Sequence, residues 1–308
     1  MDGLYGKMNA ERIKYFNIYD LVKGFKLNSD SLEHLQDVSF KFDEYMKNLT
    51  AFNNRAILRF LIESFNSEIY VSNLIEDHLI KPQDISESDS FFDSLSISHK
   101  RIKDLHKELT KEHMEYEYRD EEAWVHSVRN GIETIYWYAV EPEDIKKFMN
   151  DFITFYRNKS TNLVDSSLFI KTSLVHLLFM RIHPFKDGNG RTSRILHDMK
   201  FVEMVNKVYG YNLRISPLHL SQGIWRNRNE YYKRINALSF DLNHVEENNE
   251  ALNNWIQFIL NMYEEELNFM NSSLSNCKSF LESISSKCES DDVINKEANK
   301  LKIKRYPN

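Results

Sequence analysis

Glycine and proline are scarce in this chain: 8 glycines and 5 prolines among 308 residues. Sandwiches and barrels reverse direction every few residues and draw heavily on both. Their scarcity argues against such folds and for an all-α architecture. The length allows a sizeable core and one to three domains. Two of the few glycines, Gly188 and Gly190, nevertheless stand two apart, inside the run HPFKDGNGRTSR at 183–194.

Helical periodicity supports the all-α reading. Leu32, Leu35, Val38, Phe42, Tyr45 and Met46 recur at helical spacing across 31–49, and a second helix is expected over 51–70. The stretch VSNLIEDHLI that follows reads as a separate short helical segment. KPQDISESDS reads as a connector, and residues 91–110 read as another helix. GIETIYWYAV, at 131–140, is rich in β-branched and aromatic residues and follows Asn130-Gly131, so it reads as a strand or hairpin. Pro142 and its acidic neighbours open a helix through about Arg157. The apolar stretch 165–182 is a helix that runs straight into the HPFKDGNGRTSR segment, and RTSRILHDMKFVEMVNKV continues as a helix beyond it. Further helices are expected around 221–238 and 250–270, followed by a polar tail rich in serine, lysine and acids. This division suggests an N-terminal helical region over 1–95, a core over 96–245 and a C-terminal extension over 246–308.

Charge and cysteine content narrow the function. The formal net charge of −6 does not favour nucleic acid as the main partner. Cys277 and Cys288 lie in the polar C-terminal region and read as free thiols in a reducing compartment. No stretch has the ~20 apolar residues of a membrane span, and the N-terminus lacks the apolar core of a signal peptide. The expectation is a soluble cytoplasmic protein.

The chemistry concentrates in residues 183–194. The glycines of KDGNG permit backbone angles that other residues avoid, so several N–H groups can point into one concavity ahead of a helix N-terminus. Arg191 and Arg194 are three apart on the following helix and share a face near that nest. One nest with two guanidiniums suits more than one phosphate. Asp187 would repel bare phosphates, but it fits if it holds Mg²⁺. His183, at the loop mouth, offers a neutral imidazole to an attacking hydroxyl. Phe185 reads as a core anchor and Lys186 as solvent-facing. Asp-Gly and Asn-Gly also form ordinary turns, and it is their joint occurrence with both arginines that favours phosphoryl chemistry. A Walker loop would need a Lys-Ser or Lys-Thr pair after its glycines, and no His-Glu-x-x-His zinc set is present.

The segment resembles the Fic family signature His-x-Phe-x-(Asp/Glu)-Gly-Asn-Gly-Arg-x-x-Arg, with His183, Phe185, Asp187, Gly188, Asn189, Gly190, Arg191 and Arg194 at every defined position. His176 and Phe179 before it, the Asp198 region after it, and LHLSQGIWRNRNEYYKRI and NNWIQFIL downstream share the familial character. The resemblance implies a helical Fic fold with a small β-hairpin flap near the active site. It also implies transfer of AMP from ATP to a Ser, Thr or Tyr hydroxyl of a protein, releasing pyrophosphate. By resemblance His183 is the general base and Asp187 the Mg²⁺ ligand. Gly188, Asn189 and Gly190 cradle phosphates, with Asn189 also donating from its side chain, while Arg191 and Arg194 steady the β- and γ-phosphates. GIETIYWYAVEP would be the flap, with Ile132, Thr134, Ile135 and Tyr136 docking an extended target segment by strand-edge pairing. A plain surface hairpin packed by Tyr136 and Trp137 is the alternative. Asn227, Arg228, Asn229, Tyr231 and Tyr232 belong to a helix that faces the nucleotide in the family, although the two tyrosines also suit a core.

VSNLIED carries a second familial signal. Ser72 and Glu76 are four apart, so they share a helix face. Many Fic proteins place an inhibitory helix there, spanning about 68–80 in this chain. Its glutamate pairs with the second arginine of the signature, here Glu76 with Arg194, where the γ-phosphate would lie. Asp77 departs from the usual Gly or Asn. An ordinary amphipathic helix with a surface glutamate is the other reading. Removal of AMP, transfer of a different phosphate-containing group, and a non-catalytic nucleotide-binding module remain alternatives to AMP transfer. The sequence leaves the protein target open, and a homodimer too.

Overall fold

The computed structural model describes residues 13, 15–51, 54–76, 91–110, 117–129, 132–158 and 162–285, with the backbone alone at 54–59, 126–129, 132–136, 163, 166 and 277–285. The elements in order are α1 (Ile18–Lys23), α2 (Ser29–Thr50), α3 (Asn54–Ile75), α4 (His99–Thr110), β1 (Trp124–Arg129), β2 (Ile132–Tyr138), α5 (Ile145–Arg157), α6 (Leu163–Ser166), α7 (Leu168–Ile182), α8 (Asn189–Tyr209), α9 (Ser221–Arg226), α10 (Arg228–Ala237) and α11 (Val245–Ser285). Among the described residues the fold is helical with one small two-stranded sheet, and the helices are what the glycine and proline scarcity led us to expect.

α7 forms the centre. Every residue from Phe169 to Ile182 is buried, as befits a helix that is apolar nearly all round. Its start is capped by Ser167, whose hydroxyl accepts from the Ile170 N–H. The one lysine on this helix, Lys171, is fully buried, and its ammonium binds the Asp165 carboxylate and the Phe155 carbonyl. Trp255 of α11 lies beneath α7 and donates to the Ser173 carbonyl at 3.1 Å. α2 presents Leu35, Val38, Phe42, Tyr45, Met46 and Leu49 to the core, while Leu32 is exposed. Its Asn28 cap accepts from Ser31 N–H, and Lys41 pairs with Glu264 of α11. One apolar cluster links residues from Ile18 to Leu274.

Some boundaries differ from the periodicity reading. The helix expected to end near 70 and the separate segment after it are one helix, α3, through Ile75. Residues 91–98 are not helical beyond a single 3-10 turn at 91–92. Phe91 and Phe92 instead pack on Phe65 of α3, and Ser98 caps α4 by accepting from Arg101 N–H. The apolar helix divides at Ser167 into α6 and α7, and the 221–238 segment divides at Asn227 into α9 and α10. α11 runs unbroken for 41 residues, past the expected end at Met270. GIETIYWYAV does contain a strand. Its partner β1, from WVHSVR, had no comparable signal; the pair is antiparallel, Trp124 opposite Tyr138 and Arg129 opposite Ile132, with an irregularity at Val125/His126. No described helix is long and apolar enough to cross a membrane.

Candidate active site

The loop between α7 and α8 is held from several sides. α7 ends with the His183 N–H donating to the Phe179 carbonyl at 3.0 Å. His183 itself is left-handed, with φ 52°, a conformation that costs a non-glycine residue roughly 1–2 kcal/mol and persists only where its surroundings enforce it. Asn189 clasps the loop internally: its Oδ1 accepts from Phe185 N–H at 2.9 Å and its Nδ2 donates to the Phe185 carbonyl at 2.7 Å. Phe185 is fully buried and stacks on His106 of α4, ring centroids 3.8 Å apart. His106 Nε2 is 2.8 Å from the Asp187 carbonyl oxygen. Gly188 adopts φ 73°, and a Cβ there would meet Thr110 at 2.6 Å and His106 at 3.0 Å. Conformation and space therefore both demand glycine at this position.

α8 begins without a side-chain cap, and its first backbone bond is Thr192 N–H to the Gly188 carbonyl. The N–H groups of Asn189, Gly190 and Arg191 thus have no acceptor within the helix, as at any helix start, and they form the positive end of its dipole. The Arg191 guanidinium binds Asp187 Oδ2 at 3.1 Å, while the Asp187 side chain remains 43 % exposed. A solvent-reaching carboxylate beside a helix N-terminus fits Mg²⁺, an ion commonly held by one or two carboxylates together with phosphate oxygens and water.

Arg194 is 1 % exposed and grips the end of α3 and the residue after it: Nε donates to Ser72 Oγ at 2.7 Å, and Nη2 donates to the Ser72 carbonyl at 2.9 Å and to Glu76 Oε1 at 2.8 Å. Gly190 lets that carboxylate approach, because a Cβ there would lie 2.0 Å from Glu76 Oε1. Glu76 therefore sits over the first turn of α8, beside the N–H groups an anion would use. Burial favours the neutral form of Arg194, but the Glu76 carboxylate and its hydrogen bond outweigh this and leave its pKa raised.

His183 is half-buried, with Nδ1 sealed from solvent. Burial above all, then the Arg119 charge, lowers its pKa to about 4, so the imidazole is neutral at physiological pH. Its ring meets Trp137 of β2 edge-on at 6.4 Å, and Trp137 in turn lies 6.2 Å from Tyr232 of α10. The hairpin root therefore stands beside His183. The proposed docking positions Ile132, Thr134, Ile135 and Tyr136 all fall in the part of β2, 132–136, where only the backbone is described.

The structure brings His183, Asp187, the α8 N-terminus, both arginines, Ser72 and Glu76 into one place. The Asn189 side chain, expected to donate to phosphate, is 2 % exposed and clasps the Phe185 N–H and carbonyl. Tyr231 is fully buried and bound to His176 Nε2 at 2.8 Å, which places it in the core. Asn227 Nδ2 donates to the Gly223 carbonyl and braces the α9–α10 junction. Lys186 is 40 % exposed, as expected. Asp77 and Cys288 lie outside the described residues, as does the Cys277 side chain.

Three features escaped the sequence reading. One is His106, with Thr110, which shapes the loop. Another is Arg119, which binds backbone around His183. The third is a buried group of Glu68, Asp198 and His219. In it Glu68 accepts from Ser221 N–H at 3.1 Å and from the Ser221 hydroxyl, and Asp198 bridges His197 and His219 at 2.8 Å each. The one signal that could have found the last of these is the four-residue spacing of Glu68, Ser72 and Glu76, which puts them along one side of α3 and its end.

Residues 96–199 match the Fic/DOC family model. Among solved structures, the fold resembles a Fic family protein from Desulfovibrio desulfuricans G20, with a TM-score of 0.57, 14 % identity, and coverage of 87 % of this chain and 78 % of that one. It also resembles a Fic domain containing signaling protein from Bacteroides thetaiotaomicron, at TM-score 0.53, 17 % identity, and 79 % and 98 % coverage. Residues 134–508 of Fic-1 from C. elegans align at TM-score 0.55 and 16 % identity, over 80 % of this chain and 74 % of that one. The family match spans the loop from His183 to Arg194, and these structures share the helical frame that holds it: residues 96–199 form a Fic/DOC-family domain.

Proposed function

We propose that the protein is an autoinhibited adenylyltransferase that moves AMP from ATP to a Ser, Thr or Tyr hydroxyl of a target protein and of itself. Family membership supports a Fic-type transferase in general. The finer reading rests on one observation above others: the Glu76 carboxylate is bound to Arg194 directly over Gly190, at the N-terminus of α8. An anion held there competes with a terminal phosphate for the same guanidinium.

In this reading the target hydroxyl gives its proton to neutral His183 while its oxygen bonds to the α-phosphorus. The bond from that phosphorus to the oxygen bridging toward the β-phosphate breaks, and pyrophosphate leaves. Asp187 would hold Mg²⁺, which neutralises phosphate charge. The N–H groups of Asn189, Gly190 and Arg191 at the start of α8 cradle phosphate oxygens, and Arg191 and Arg194 complete the cradle once Glu76 withdraws. Such a transfer depends on positioning and charge neutralisation. We assign residues 1–95 to the region that carries the brake, 96–245 to the catalytic core and 246–308 to the extension.

The test uses the parent protein and Glu76→Gly with Mg²⁺ and ATP labelled at the α-phosphate. Protein labelling that rises in Glu76→Gly and vanishes on adding His183→Ala supports transfer. No gain over the parent contradicts the brake, and labelling from γ-labelled ATP would indicate a kinase.

A further inference from the structure

Arg119 lies in the segment between α4 and β1, 64 residues before His183, and is 3 % exposed. Among the described residues, its guanidinium bonds go to backbone carbonyls. Nε donates to the His183 carbonyl at 2.8 Å, and Nη2 reaches the Ile182 carbonyl at 3.5 Å. Nη1 donates to the Glu121 carbonyl at 2.8 Å, and Nη2 also binds the Val140 carbonyl. The Arg119 N–H donates to the Pro184 carbonyl at 2.9 Å. Glu121 lies just before β1 and Val140 just after β2, where Ala139 N–H to the Ala123 carbonyl extends the hairpin ladder. One guanidinium therefore joins both legs of the hairpin to the last carbonyl of α7 and to the left-handed residue His183.

We propose that Arg119 is a positioning residue, which holds the His183 peptide in its left-handed conformation and couples it to the root of the hairpin. The fork geometry matters: a planar guanidinium satisfies several carbonyls at fixed angles, and an ammonium cannot. A cation at the C-terminus of α7 also complements the helix dipole. The same charge stands close enough to His183 to disfavour imidazolium, second only to burial. Arg119 thus acts through His183 on both its place and its protonation. A catalytic consequence follows if His183 is the base of the proposed transfer, and on that point the inference rests on the reading above.

The experiment uses the full chain with Arg119→Gln and Arg119→Lys, each alone and with Glu76→Gly. The His183 ring is titrated by NMR with ¹³C-labelled histidine, its signal identified by its loss in His183→Gln. Labelling by α-labelled ATP is measured in the Glu76→Gly forms. In Arg119→Gln the His183 midpoint is expected to rise part of the way from about 4 toward the ordinary 6.5, because burial persists. In Arg119→Lys the charge remains and the midpoint stays low. Labelling in both is expected to fall on the order of 10- to 100-fold in kcat with KM for ATP little changed, the size of loss that a misplaced group produces. An unmoved titration in folded Arg119→Gln, or parental labelling in Arg119→Lys, overturns the proposal. If Arg119→Gln does not fold, the kcat of Arg119→Lys decides. If Glu76→Gly itself labels nothing, the transfer reading fails, and the titration alone decides the role of Arg119.

Discussion

Glu68→Gln is expected to stabilise the protein at pH 8 and to do much less at pH 5. Glu68 is 1 % exposed on α3, with Ser221 donating to its carboxylate from both N–H and hydroxyl. Burial raises its pKa from 4.5 to about 7; His219, Ser221 and Arg194 oppose the rise, and Asp198 adds to it. The folded protein therefore holds this proton more tightly than the unfolded chain does. The stabilisation from the neutral carboxyl is fully present below pH 4.5 and is lost as pH rises toward 7. At 1.36 kcal/mol per pH unit, the interval sets a ceiling of about 3 kcal/mol. His219 and Asp198 share the same electrostatics, so ~1–3 kcal/mol is the expected difference between the two pH values. Glutamine keeps an acceptor for Ser221 N–H and a donor for its hydroxyl but never ionises. Urea unfolding of parent and variant at pH 5 and pH 8 measures the effect. Equal destabilisation at both pH values would refute the reasoning, because it would mean that Glu68 is folded in as a carboxylate. The position matters beyond stability, because Glu68, Ser72 and Glu76 form one ridge through which α3 grips the core.

Ser72→Ala removes the hydroxyl that accepts from Arg194 Nε but leaves the Ser72 carbonyl and Glu76 in place. It is expected to weaken the closed arrangement by about 1–3 kcal/mol, against roughly 3–5 kcal/mol for Glu76→Gly, which strips a buried cation of its counter-charge. Self-labelling with α-labelled ATP should therefore rise less in Ser72→Ala than in Glu76→Gly, and the reverse order would contradict the geometry. Asn189→Ala leaves both the Phe185 N–H and carbonyl without their clasp and is expected to cost about 2–4 kcal/mol. Asn189→Asp keeps the acceptor and should fall between parent and Ala in thermal unfolding.

The helical class and the central buried helix were legible because they follow from local chemistry. Scarce glycine and proline leave few places to turn, and the 165–182 stretch has almost no polar face. The loop was legible for the same reason: two glycines, an acid and two arginines within eight positions bring their own geometry. Helix ends were read less well. α3 continues past Tyr70 because Ser72 and Glu76 face polar partners on α8, a tertiary compensation that makes the apolar period look broken. The Asn189 side chain suits phosphate by its type, and only the folded loop shows that it also satisfies the Phe185 N–H and carbonyl.

The sequence by itself determined that this chain is helical, that residues 183–194 form a glycine-shaped turn at a helix start, and that a base, an acid and two cations gather there. All of these depend on contacts within about a dozen residues. Only the tertiary structure decided what surrounds the turn: Glu76 over Gly190, His106 against Phe185, and Arg119 on the carbonyl of His183. Those partners lie tens of residues to more than a hundred away in the chain, and their carbonyls, rings and carboxylates carry no short-range pattern. Their pairing is set by which helices pack against α7 and α8, and that is a property of the whole core.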